Sequence, residues 1–108
     1  MATSGRSAPQ REHGRGRDAA GARDQYAALL PIEERVLGAE HPDTRTTRHD
    51  LATRTGEAGD AAGARDQFAA LLPVRERILG AEHRDTLTAR SNLAYWTREA
   101  KSAGPDAR

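Results

Sequence analysis

The string Asp18-Ala-Ala-Gly-Ala-Arg-Asp-Gln25 recurs unchanged as Asp60-Ala-Ala-Gly-Ala-Arg-Asp-Gln67, an offset of 60 − 18 = 42 residues. Compared at that offset, residues 18–59 and 60–101 agree at about 29 of 42 positions. A duplication this close makes the chain a tandem array whose units bury their apolar faces against one another. Where the copies differ at apolar places, as at Tyr26/Phe68, Ile32/Val74 and Val36/Ile78, bulk is retained. Those positions are expected in the core.

Within each unit the apolar period is helical. Ala61, Ala64, Phe68, Leu71 and Leu72 are spaced by threes and fours, as are Ala19, Ala22, Tyr26, Leu29 and Leu30, so each set forms one stripe of a helix. Asp18 and Asp60 suit N-caps, and Gly59 suits the left-handed end of the preceding helix. Pro31 and Pro73 fall inside the stripe. A proline there removes one backbone hydrogen bond and costs roughly 3 kcal/mol, but the stripe resumes at Val36/Leu37 and Ile78/Leu79, so a kink is expected rather than a stop. The linkers Gly38-Ala-Glu-His-Pro-Asp-Thr44 and Gly80-Ala-Glu-His-Arg-Asp-Thr86 read as turns, with Asp and Thr capping the helices that follow.

These signals predict four helices, near 18–38, 43–58, 60–80 and 85–101. The second is expected to be the weakest and to fray, because Arg45, Thr53 and Arg54 stand where the fourth has Leu87, Tyr95 and Trp96. The fold class is therefore all-α, antiparallel helix hairpins stacked as a short α-solenoid over residues 18–101. Residues 1–17 are expected as a disordered basic tail, residues 102–108 as a second disordered tail. The duplication fades at both ends, so the chain reads as an excerpt of a longer array.

Composition narrows the function classes. The 108 residues hold 36% apolar and 31% charged side chains with a formal net charge of +1, a balance that argues against a dedicated nucleic-acid surface. Arg6, Arg11, Arg15 and Arg17 against Glu12 make the first segment locally basic, which is read as a solvated tail. With no cysteine, disulfides and thiolate metal sites are excluded. No apolar run approaches the roughly 20 residues that span a bilayer, and no signal peptide is recognisable. A cytoplasmic location without membrane contact is expected.

His41 and His83, with Glu40, Glu82, Asp43 and Asp85, lie in equivalent turns one repeat apart. They cannot converge on one ion at about 2.0 to 2.2 Å, and are read as turn and capping residues. His49 and Ser91 could approach on successive helices, but no oxyanion-stabilising turn accompanies them. Neither an enzyme nor a cofactor or metal site is expected. Tyr95 and Trp96 diverge by about 100° on a helix, so one packs inward; Trp96 is expected to cover an open end face or to meet a second subunit.

A helix with Asn92-Leu93-Ala94, a Gly59-Asp60 turn and a helix with Ala64, Phe68 and Leu71 together resemble the tetratricopeptide repeat. The 42-residue period and the Gly-Ala-Glu-His-Pro-Asp-Thr linker are similar to its longer kinesin light chain subtype, of which comparable arrays occur in actinobacterial regulatory proteins. The resemblance implies a right-handed superhelix whose concave face, lined by the first helix of each pair, binds extended peptides. Its aligned asparagine is Asn92, with Asp50 in that place one unit earlier, and Tyr95 and Thr53 one turn on. The expected peptide-contacting set is Asp50, Thr53, Glu57, Asn92, Tyr95, Arg98 and Glu99, serving a protein or peptide partner. The alternative is a structural remnant or self-associating fragment of a longer array in a regulatory protein, a homo-oligomer joined through uncovered end faces.

Overall fold

The computed structural model describes the backbone of residues 2–106 and the side chains of residues 18–102. It contains four helices in chain order, α1 (Ala2–Val36), α2 (Pro42–Glu57), α3 (Ala61–Leu79) and α4 (Arg84–Asp106), each packed on the next. No strand occurs among the described residues. Consecutive helices are joined by short turns at Gly38, Gly59 and Gly80, which hold φ of 101°, 110° and 100°, a region open mainly to glycine.

The duplicated sequence yields duplicated joints. Arg48 Nη2 donates to Glu34 at 2.9 Å, tying α2 to α1, and one repeat later Arg90 Nη2 donates to Glu76 at 2.6 Å, tying α4 to α3. Asp60 caps α3 by accepting from the Gly63 amide at 2.8 Å. The following turns are capped differently from the expectation: His41 Nδ1 accepts from the Asp43 amide and His83 Nδ1 from the Asp85 amide, both at 3.0 Å. An imidazole nitrogen two residues back reaches the first free amide that the Asp and Thr side chains were expected to serve.

The core forms where α2, α3 and α4 meet. Ala52, Phe68 and Leu71 are fully buried, with Leu93 and Trp96 packed against them. On α3 the buried stripe is Ala64, Phe68, Leu71 and Arg75. Both long helices run on through Pro31 and Pro73 without interruption.

Four expectations need correction. α2, expected to fray, is enclosed between α1 and α3 and buries Thr44, Arg45, Thr47, Ala52, Thr55 and Gly56; tertiary packing outweighs its weak intrinsic preference. The outer apolar positions Ile32, Val36 and Ile78 are 48%, 67% and 37% exposed. Asp18 is not an N-cap, because α1 is helical from Ala2. The expected tails are thus continuous with helices: residues 2–17 extend α1 and residues 102–106 extend α4, each added residue gaining a hydrogen bond on an existing nucleus. Side chains before Asp18 lie outside the described residues.

Candidate functional site

Trp96 fixes how α4 faces α2. Its six-membered ring lies on Gly56, so close that a Cβ there would overlap Cζ2 and Cη2. It therefore seats within the α2–α4 seam rather than over an open end. Tyr95 stands edge-on to it, ring centroids 4.7 Å apart, and is 45% exposed.

With that contact as the line of approach and about 100° per residue, the expected site residues can be placed. Ala52 and Leu93, both in the core with Phe68, mark the α3 side of the two helices. Asp50, Thr53 and Glu57 on α2, and Asn92, Tyr95 and Glu99 on α4, fall together on the other side. They form two parallel ridges one repeat apart, half-buried at Asp50, Thr53 and Asn92 and exposed at the rest. Glu57 is paired with Arg54 at 2.7 Å. Arg98 does not join them: it is about 200° from Trp96, on the side of α4 turned away from α2. Ser91 is likewise on the outer side of α4, exposed, while His49 packs edge-on against Phe68 at 5.4 Å. The two are not brought together.

Sequence reasoning missed a cleft on this same face. Thr46 and His49 from α2, Arg75 from α3, and Asp85 and Thr88 from α4 line a space of ≈ 220 Å³. A signal was available, because Thr46 and Thr88 are identical at equivalent positions and lie one turn before Asp50 and Asn92. Arg75 forms the floor. It is 6% exposed, donates from Nη1 to the Asp85 carbonyl at 3.1 Å, and accepts at its own carbonyl from Thr86 Oγ1 at 3.2 Å. These bonds lock α3 to the start of α4. Burial lowers the Arg75 pKa; Asp85 opposes this and Arg45 adds to it. The Arg75 Nε and His49 Nδ1 atoms are buried without hydrogen-bond partners.

Burial, and then the charge of Arg75, push the His49 pKa below the usual histidine value. The unfolded chain therefore binds more protons than the folded one just below pH 6.5, so stability is complete above that window and falls as pH drops through it. Thermal melts at about pH 7.5 and about pH 5.5, either side of the ordinary histidine pKa, should show a steeper loss for the natural chain than for His49→Asn. Equal losses would place the acid sensitivity elsewhere.

Paired antiparallel helices, repeated in sequence and stacked on one shared core, define an all-α helical repeat protein. The family model described as Tetratricopeptide repeat matches residues 44–85, most of α2 and all of α3 with the turn that follows. Such repeats generally mediate protein–protein interaction. None of the curated proteins and none of the solved structures compared with the chain matches it. Among the described residues no helix is long and apolar enough to cross a membrane.

Proposed function

We propose that the chain is a non-enzymatic scaffold that binds an extended peptide segment of a protein partner along the face shared by α2 and α4. The observation that carries this reading is the pair of equivalent ridges, Asp50/Thr53/Glu57 and Asn92/Tyr95/Glu99, opening beside the cleft floored by Arg75. An extended peptide offers amides and carbonyls at regular intervals, and polar side chains repeated on parallel helices meet them. The Asn92 carboxamide can both donate to and accept from a peptide backbone, whereas ionised Asp50 accepts only. Tyr95 supplies aromatic surface at little entropic cost. Asp50, Glu57 and Glu99 favour a partner segment with basic side chains. The 42-residue period and the histidine-containing linkers support a place in the kinesin light chain subtype of the family, and the cysteine-free composition suits the cytoplasm.

The test is a peptide array probed with the labelled protein, followed by titration of the retained peptides. Asn92→Ala should weaken them by roughly five- to tenfold, the loss of about one hydrogen bond, with helicity unchanged. Affinity indifferent to both Asn92→Ala and Asp50→Ala would remove this face from the function.

A further inference from the structure

The two units are near copies, yet equivalent residues differ sharply in burial. On α3, Phe68 and Leu71 are 0% exposed; on α1 their counterparts are Tyr26, half-buried, and Leu29, 41% exposed. On α2, Ala52 is 0% exposed and Thr55 3%; on α4 the counterparts are Ala94, exposed, and Thr97, half-buried. The residues uncovered on α1 are those with which α3 meets α2, and those uncovered on α4 are those with which α2 meets α3. Each open face is thus one half of a joint that already exists inside the molecule.

We infer that α4 of one copy docks on α1 of a second copy in the arrangement that α2 and α3 adopt internally, giving head-to-tail assembly. Ala94 then sits against Tyr26 and Leu29 of the partner copy as Ala52 sits against Phe68 and Leu71. Gln25 and Thr97 supply the counterparts of the internal bond from Gln67 Nε2 to Thr55 Oγ1 at 3.3 Å. The departures between the copies favour the joint. Internally, Arg45 and Arg75 are close enough for their charges to oppose one another. On the open faces Leu87 stands in place of Arg45 and Glu33 in place of Arg75, which removes that opposition. Leu87, 47% exposed as it stands, gains cover.

A different exchange limits the strength. Arg54 occupies the place of Trp96, and Arg98 that of Gly56, so the joint sets one guanidinium against another where the internal seam has an indole on a glycine. Arg54 is already paired with Glu57, and the joint gains Arg35 against Glu82 as the counterpart of the internal Arg77–Glu40 pair at 2.7 Å. The two surfaces differ, so the contact is heterologous and one copy leaves both of its ends free for others.

Sedimentation equilibrium of the full chain tests this from about 10 µM to about 1 mM, the range for contacts at the small end of stable interfaces. The average mass should climb past two chains. Leu29→Arg blocks one face and Ala94→Arg the other; both positions are exposed, so helicity should be retained, and Ser91→Arg serves as a second block on α4. Each variant alone should remain a single chain, while an equimolar mixture of Leu29→Arg and Ala94→Arg should stop at a pair. A constant one-chain mass for the natural protein, association of either variant alone, or growth of the mixture beyond two would each overturn the assignment.

Discussion

Replacing Phe68 with alanine should leave the protein without a cooperative thermal transition at 25 °C and above. The ring is 0% exposed and packs with Ala52 and Leu71 at the meeting point of three helices. Truncating a phenylalanine in such a place costs about 3–5 kcal/mol through lost transfer energy and the cavity left behind, a large share of the roughly 5–15 kcal/mol that holds a domain together. The informative control is Tyr26→Ala, the same position one repeat earlier. Tyr26 is only half-buried, so about half of the usual burial energy is at stake, roughly 1 kcal/mol. Circular dichroism melts of the two variants would measure the contrast directly. Equal losses would show that the two units share burial evenly, contrary to the packing described.

The second expected result inverts a familiar rule. Gly56 lies near the end of α2, and glycine to alanine inside a helix ordinarily stabilises by about 0.5–1 kcal/mol. Here the added Cβ would overlap Cζ2, Cη2 and Cε2 of Trp96, and the indole, itself packed against the core, has to leave its seat. Overpacking of this kind costs about 1–3 kcal/mol, or about 4–8 °C in Tm per kcal/mol for a domain near this size. Trp96 is the only tryptophan, so its emission should shift to the red in the same variant. In Gly56→Ala combined with Trp96→Ala, the methyl has nothing to displace, and the extra penalty should vanish. A double-mutant cycle with coupling near zero would mean that the indole does not rest on Gly56.

Arg98 shows how far the site was legible in sequence. The asparagine position, the aromatic one turn on and the acidic residue beyond it were proposed from resemblance to the repeat family, and the structure places them on one side of α4. Arg98 was grouped with them by proximity in the chain, yet neighbours on a helix point about 100° apart, and the orientation of α4 was unknown until Trp96 was seen against Gly56. The expectation that Arg75-Glu76-Arg77 forms a solvated helix face fails at Arg75 for a related reason. Beside Glu76 and Arg77 it reads as part of a charged outer surface, and only the packing of α2 and α4 on either side of α3 turns it into a buried floor.

The sequence by itself determined the repeat length, the helical character of every unit, the glycine turns and the inner stripe of Ala64, Phe68 and Leu71, because period and backbone conformation are local properties written into residue spacing. The tertiary structure decided which equivalent residues are buried, that α2 is enclosed rather than frayed, and which side chains share the α2–α4 face. Burial depends on what lies across from a residue. Two nearly identical strings therefore have different fates according to whether one neighbouring helix covers them or two.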